Sequence, residues 1–377
     1  MKKTLITAGV LGAFAVGAHA QSSVTLYGSL DAGIVYVNNI GGSSAWIQNS
    51  GSVSNTYFGL RGAEDLGGGL KAIFTLESGF NLNDGTYKGE SGFNRKAYVG
   101  LKSNTGGTVT LGRQYDSVVD FLSPLSAAGF GYGNNLAAHP FDNDNLGATF
   151  PVKNAIKFES LNYDGLKFGG LYGFSNQPGG FANGRAWSVG ASYSTGPLNV
   201  AAAYLQQNNA GLNATSASKL SAELQRTYGI GANYTYGPAV IGLVWTHSQF
   251  DDLSRGPAWA TGNQNLRMDN FEINGVYSLT PALALLGSYT FTDGRVTDNY
   301  GRSNPRWHTA MLAGDYSLSK RTDIYLATAF QRATGSVGYT PTPTGYAHVA
   351  NVAAINTLPA SSTRNQVAAT VGLRHRF

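Results

Sequence analysis

From Ser23 onward the chain alternates. In SVTLYGSLDAGIVYV, Val24, Leu26, Leu30, Ala32 and Ile34 share one parity, and Thr25, Ser29 and Asp31 share the other. A period of two predicts a β-strand with one apolar face and one polar face. The next pair repeats the scheme. Phe58, Leu60 and Gly62 stand opposite Arg61; beyond a turn at Asp65-Leu66-Gly67-Gly68, Leu70, Ala72, Phe74 and Leu76 stand opposite Lys71, Thr75 and Glu77. The Gly67-Gly68-Gly69 run lacks the Lys-Ser/Thr and the following helix of a phosphate loop, so it reads as a tight turn. Further hairpins turn at Asn104-Thr105-Gly106-Gly107, Tyr163-Asp164-Gly165, Thr195-Gly196-Pro197, Tyr236-Gly237-Pro238, Thr280-Pro281 and Ser319-Lys320-Arg321. With an opening strand and a closing one from Arg364, the count is about sixteen, an even number with every second connection short.

The remaining connections are long and polar, Asn38 to Val53, Asn81 to Gly92, Gln114 to Pro151, Gln207 to Leu224, Phe250 to Leu266, Gly294 to Asn304 and Gly335 to Thr363, save a modest one near Asn176 to Gly184. The stretch from Gln114 to Pro151 stands apart. It has no alternation, it holds Pro124 and Pro140, and apart from tyrosines its ionisable residues are Asp116, Asp120, Asp142, Asp144 and His139. Its own apolar residues, Val118, Val119, Phe121, Leu122 and Leu125, predict a compact loop packed on a wall rather than a free surface loop.

Composition decides what the apolar faces touch. Charged residues are 12% of the 377, and there are 50 Gly, 21 Tyr, 18 Phe and no Cys. Few charges, many glycines and aromatics, and alternating strands are the mark of a transmembrane barrel, whose faces alternate between lipid and lumen. After the start of the chain, no stretch reaches the roughly 18 apolar residues that a spanning helix needs. The first twenty residues read as an export signal, with Lys2 and Lys3, an apolar run from Leu5 to Gly17 and the small-residue site Ala18-His19-Ala20. The mature chain is then residues 21–377, a single barrel domain. The net charge of +5 is spread along the chain and gives nucleic-acid binding no support. Without Cys there is no disulfide framework, and no cofactor or metal motif emerges.

Alternation also assigns the charges. Arg61 lies opposite Phe58 and Leu60, Lys96 opposite Ala97, Val99 and Leu101, and Lys157 opposite Ile156 and Phe158. A basic side chain facing lipid at mid-membrane costs about 2–4 kcal/mol, so these three are expected in the lumen. Arg95 and Arg113 fall on the apolar parity near the outer strand ends, where headgroups, a neighbouring subunit or the pore mouth are all in reach.

Several runs carry a family resemblance: SSVTLYGSLDAGI, YFGLRGAEDLGGGLKAIFTLESGF, RKAYVGLKSNTGGTVTLGRQYD and the terminal VGLRHRF. They span the mature chain and resemble the trimeric general porins of Gram-negative bacteria, in the betaproteobacterial branch. The resemblance implies an outer-membrane barrel of sixteen strands, a homotrimer set among outer-membrane lipid and lipopolysaccharide, and a third long loop (114–151) folded inward as a constriction. It implies that Leu373, His375 and Phe377 form the signal read by the barrel-assembly machinery, with His375 where Tyr is more usual. It also places Arg113 beside the inward loop.

The expected site is therefore transverse: Arg61, Lys96, Arg113 and Lys157 on the wall, facing Asp116 and Asp120 on the loop. Opposed charges across water would orient polar solutes. The expected function is general diffusion of small hydrophilic solutes and ions, leaning to anions because the wall bases gather while the loop acids are spread. A substrate-specific channel is the nearer rival. An outer-membrane barrel enzyme is the more distant one, since His139, His247, His308, His348 and His375 are scattered and sit in no catalytic motif.

Overall fold

A computed structural model describes residues 23–89, 91–129, 134–210, 220–255, 263–343 and 345–377. The expected export signal, residues 1–20, lies outside the described residues. Twenty strands follow in order. They are β1 (Ser23–Ile40), β2 (Ser43–Ser50), β3 (Tyr57–Gly67), β4 (Leu70–Gly79), β5 (Lys96–Ser103), β6 (Gly107–Gln114), β7 (Val152–Glu159), β8 (Leu166–Gly173), β9 (Ala186–Thr195) and β10 (Leu198–Ala210). The second half holds β11 (Ser221–Tyr236), β12 (Ala239–Arg255), β13 (Gln264–Ser278), β14 (Leu283–Asp298), β15 (Gly301–Ser303), β16 (Arg306–Ser317), β17 (Thr322–Thr334), β18 (Ser336–Thr342), β19 (Gly345–Ala350) and β20 (Asn365–Arg376).

Sixteen of these form one closed antiparallel barrel. Closure is made by β1, which pairs with β3 through Thr25↔Arg61 and with β20 through Ala32↔Leu373. The last residue seals the seam: the amide N–H and carbonyl of Phe377 exchange hydrogen bonds with those of Gly28 at 3.1 and 3.0 Å. The other four strands are trimmings. Strand β2 folds back on β1, β15 on β14, and β18 with β19 makes a separate hairpin within the last long connection.

The alternation is expressed as expected. Ile241 and Leu243 on β12 are 57% and 59% exposed, whereas Val244, of opposite parity, is 3% exposed. The outward face is an apolar band of Ile230, Ile241, Leu243, Ile273, Leu285, Leu312 and Leu326, edged by exposed tyrosines such as Tyr193, Tyr234, Tyr277 and Tyr316 near the short turns. A sheet with such a face needs lipid against it, and closing the sheet removes its edges.

The strands run further into the long-loop rim than expected. Residues 207–210 and 221–224, expected in a loop, belong to β10 and β11, and β12 continues to Arg255. Beyond the acyl region an outward side chain faces water and headgroups, so Asn208, Gln249 and Asp251 can be polar without ending the ladder. A reading based on apolar alternation stops there because both faces have become polar.

The described residues of the segment 114–151 lie inside the barrel. It folds as short turns, Val118–Leu122, Ser123–Leu125, Asn134–Ala137 and Pro140–Asp142. Val118, Leu122, Leu125, Ala138, Leu146 and Phe150 pack on Ala201, Ala203 and Leu205 of β10 and Val244 of β12. Further along, Ala127, Leu136 and Ala137 join Met311 and Ala313 of β16 and Ala327 and Ala329 of β17. Each fully buried Leu or Val here contributes about 1.5–3 kcal/mol. Phe121 lies over the wall at Gly190, where any Cβ would come within 2.6 Å of its ring, so that position requires glycine for the loop to sit this close.

Candidate functional site at the inward loop

The wall facing the loop comes from β1 and β3 to β6. Glu77 on β4 accepts the Tyr27 hydroxyl at 2.8 Å, Lys96 Nζ at 3.2 Å and Arg95 Nε at 3.3 Å. The Arg61 guanidinium lies over the Tyr27 ring at 4.9 Å, and that of Arg95 lies over Tyr57 at 4.6 Å and Tyr115 at 5.6 Å. Cations over ring faces are attracted by the negative face of the π-system. Three basic residues, Arg61, Arg95 and Lys96, thus surround a ring cluster with Glu77 as the carboxylate that both Arg95 and Lys96 touch.

Two local devices turn Arg95 and Arg113 inward against their strand parity. Before β5, the Asn94 side chain takes the place of a strand residue: Asn94 Nδ2 donates to the Gly79 carbonyl and the Gly79 amide donates to Asn94 Oδ1, both at 2.8 Å. The ladder is thereby interrupted and Arg95 is released from alternation. In β6, the register against β7 slips between Gly112 and Gln114. Gly112 has φ 135°, and a Cβ there would meet the Ala97 carbonyl oxygen at 2.2 Å. Arg113 sits in this bulge, and its Nε donates to the Asn94 carbonyl at 2.8 Å. Gly112→Ala is expected to cost about 1–3 kcal/mol of backbone strain. A lowered unfolding midpoint checks this.

The loop side differs from the expected row of acids. Asp116 is fully buried. Its carboxylate accepts the Val118 amide and Asn145 Nδ2, both at 2.8 Å, so it closes a turn within the loop and does not face the wall bases. Burial raises its carboxyl above the usual carboxylate range. Asp142 accepts the Gly147 amide at 2.8 Å and the Thr149 hydroxyl at 2.7 Å. Asp120 meets Lys157 as a direct ion pair. Lys157, however, is 8% exposed and also contacts Glu159 at 3.0 Å and the Tyr115 carbonyl at 3.3 Å. It is a strut beneath the loop rather than an open wall base. Lys96 pairs with Glu77, not with a loop acid.

The loop is clamped at its far side by a buried ion cluster that the scattered histidines did not suggest. His139 Nδ1 lies 2.6 Å from Asp144 and its Nε2 lies 3.0 Å from Glu272 on β13. Burial alone would lower the imidazole pKa, but the two carboxylates outweigh it and push the pKa up to about 10. Burial also works against Asp144, yet the imidazolium holds that carboxyl below the usual range. Only the doubly protonated ring can donate to both oxygens. Glu272 also accepts the Ala127 amide at 2.8 Å, and Asp144 the Thr246 hydroxyl at 2.5 Å. The signal for this clamp was Glu272 itself, an acid at lumen parity in the middle of a strand.

Between wall and loop the space is electropositive. A cavity of about 870 Å³ is lined by Lys88, Arg95, Arg113 and Lys153 together with Asn and Ser side chains, with no Asp or Glu lining it among the described residues. A smaller cavity of about 170 Å³ lies between Tyr57 and Arg95 on one side and Ser123, Ala128, Gly129, Gly147 and Ala148 on the other. Arg95 therefore looks across at small neutral residues. No group of three or more metal-ligating side chains occurs among the described residues.

A Gram-negative porin family model matches residues 7–336. An outer membrane porin protein of Bordetella pertussis is 30% identical, covering 86% of this chain and 93% of the relative. Among solved structures, an anion-selective porin from Comamonas acidovorans superposes with TM-score 0.70 at 24% identity, covering 94% of this chain and 100% of that one. OmpT of Vibrio cholerae in a trimer form superposes with TM-score 0.64 at 15% identity over 94% of this chain and 99% of its own. A sixteen-stranded barrel with an apolar belt, an inward loop and these relatives belongs to the Gram-negative porin family: it is an outer-membrane channel rather than an enzyme.

Proposed function

We propose that this porin is a general diffusion channel with a preference for anions, and that Arg95 and Arg113, with Arg61 and Lys96 on the same wall, set that preference. The supporting observation is the cavity beside the loop, bordered among the described residues by four cations and no carboxylate. Its basis is asymmetric sequestration. The loop acids are spent on turns, on the Lys157 strut and on the clamp, so the wall field is not balanced across the water. A fixed charge beside a low-dielectric wall focuses its field into the lumen and concentrates counter-ions there. Small anions such as acetate should cross faster than cations of similar size, and small neutral sugars should pass freely. Swelling of proteoliposomes in each solute tests this; liposomes that hold inserted protein and remain impermeable to small sugars would refute the channel itself.

The strut beneath the loop adds a pH dependence. Burial, aided by Glu159, pushes the Asp120 carboxyl up to about 6 against the pull of Lys157. Lowering the pH from 7 to 5 protonates Asp120 and leaves Lys157 less neutralised, so anion preference should rise with a midpoint near that value. Asp120→Asn should show the acid-side preference already at pH 7 and lose the step. A step of the same size in Asp120→Asn would assign it to another group.

The mature chain is residues 21–377, with 1–20 removed on export. It assembles as a homotrimer among outer-membrane lipid and lipopolysaccharide, as the trimer form of the OmpT fold relative supports. Leu373 and Phe377, which share outward parity with His375 on β20, serve as the handle for the assembly machinery. Leu373 is 47% exposed, and His375 Nδ1 lies 2.9 Å from the Thr322 hydroxyl, which supports a handle on the lipid face.

A further inference from the structure

The wall cations set the sign of the field, but a field does not explain the tyrosine rings placed between them. On β3, Tyr57, Gly59 and Arg61 share the inward parity. Tyr27 of β1 stands opposite Gly59, where a Cβ would come within 2.9 Å of its ring, so the glycine lets that ring lie across β3. Tyr27 thereby fills the step between Tyr57 and Arg61. The rings of Tyr27 and Tyr57 meet edge to face, with centroids 6.3 Å apart. At one end Arg95 reaches both Tyr57 and Tyr115, and Lys96 Nζ lies 5.9 Å from the Tyr115 ring. At the other end Arg61 lies over Tyr27. Contact by contact the row runs Tyr115, Arg95, Tyr57, Tyr27 and Arg61, with rings and cations interleaved. Its last four residues of strand carry it about 13 Å toward the short-turn rim.

Two features of this row choose among solutes. Tyr57 and Arg95 together line the smaller cavity, whose far side is made of Ser123, Ala128, Gly129, Gly147 and Ala148. Small residues there leave a slot with a ring and a cation on its near side. Tyr27 and Tyr57 are half-buried and Arg61 is exposed, so the row stays open to the passage below the slot. The second feature is that Tyr27, Tyr57 and Tyr115 each already hold a cation. An aromatic cation therefore meets occupied ring faces and a repelling field. An aromatic ring that bears an anion meets the reverse: ring packs on ring, offset or edge to face, and the acid group pairs with the neighbouring guanidinium.

We propose that this row is a wall path for small aromatic anions, single rings bearing a carboxylate or a sulfonate, which pass from the Tyr57–Arg95 step to the Tyr27–Arg61 step. It rests on the anion-preferring field of the wall and adds to it a class of solute. Two like steps in series suit conduction, since each holds the solute well enough to admit it and weakly enough to release it. Saturated anions of the same charge find the cations but no ring partner.

The test is a bi-ionic potential across a neutral planar bilayer holding the folded full-length channel, with chloride on one side and benzenesulfonate or cyclohexanesulfonate on the other. The two probes carry the same permanent charge on rings of equal carbon number, and only the first is aromatic. Benzenesulfonate should be more permeant by about threefold or more. Tyr57→Leu should shrink that ratio and Tyr27→Leu/Tyr57→Leu should abolish it, whereas Tyr57→Phe, which keeps the ring, should preserve it. Heat-modifiability confirms that each variant is folded. The chloride-to-potassium preference of the same channels, measured in parallel, separates two failures. Equal permeation of the probes through an unaltered channel that prefers chloride would overturn the ring path alone. A preference for potassium would overturn the wall field and the ring path with it. A ratio that survives in the folded double variant would assign the discrimination to the thickness of the saturated ring, and would overturn the ring path too.

Discussion

Glu272→Ala should loosen the inward loop and cost about 3–5 kcal/mol of stability, the penalty for breaking a buried ion cluster by removing one partner. Glu272 holds His139 at 3.0 Å and the Ala127 amide at 2.8 Å, so its loss frees the loop at two points and leaves the imidazolium with Asp144 alone. In planar bilayers the variant should show a larger, noisier single-channel current than the parent, and its unfolding midpoint should fall. A quiet channel of unchanged conductance and stability would mean that the apolar packing of Leu122, Leu125 and Leu146 holds the loop without the clamp. The clamp also carries a pH signature. The His139 pKa stands at about 10, above its ordinary value, so the stability it contributes is complete below that ordinary value and is lost as pH rises through the folded one. Current noise should therefore grow in alkali as pH 10 is approached, and Glu272→Ala should lack that rise.

Reversing the wall is the second large effect. In Arg95→Glu/Arg113→Glu two of the four cations around the main cavity become anions, while Lys88 and Lys153 remain. A unit charge about 4 Å from a passing ion is worth about 1 kcal/mol in bulk-like water, so two reversals should change the anion-to-cation permeability ratio roughly tenfold or more. The sign of the zero-current potential in a salt gradient should invert. Arg95→Gln/Arg113→Gln should fall between the two and shows how much is charge rather than the lost contacts with Tyr57 and Tyr115. The effect should also shrink in concentrated salt, since screening shortens the reach of exposed charges to about 3 Å at 1 M. An unchanged potential in the Glu variant would place selectivity elsewhere in the barrel.

The barrel was legible because its physics repeats: each strand needs one apolar parity against lipid, and Val24 to Ile34 or Leu70 to Leu76 display it plainly. The inward loop was legible too, from apolar residues clustered where alternation failed. Strand ends were not, since Asn208 and Asp251 face water on the outside and look like loop residues until their register is known. The placement of the wall charges was half legible. Arg61 and Lys96 followed from parity, but Arg95 escaped because Asn94 replaces a strand residue and cancels parity at the next position. The loop acids misled most. Asp116 looked like a pore-facing charge, yet an Asp whose carboxylate accepts the amide two residues on is a turn-forming pattern, and Val118 completes it. Sequence alone does not say whether a loop aspartate faces water or its own backbone, and that choice decides whether the field across the pore is balanced or one-sided.

The most direct test of that one-sided field is the zero-current potential of the unaltered protein, purified with all its residues and inserted in a neutral planar bilayer across a potassium chloride gradient at pH 7. The arrangement of four cations beside a loop whose acids are buried or paired predicts that chloride is the more permeant ion. A potential showing preference for potassium would contradict it.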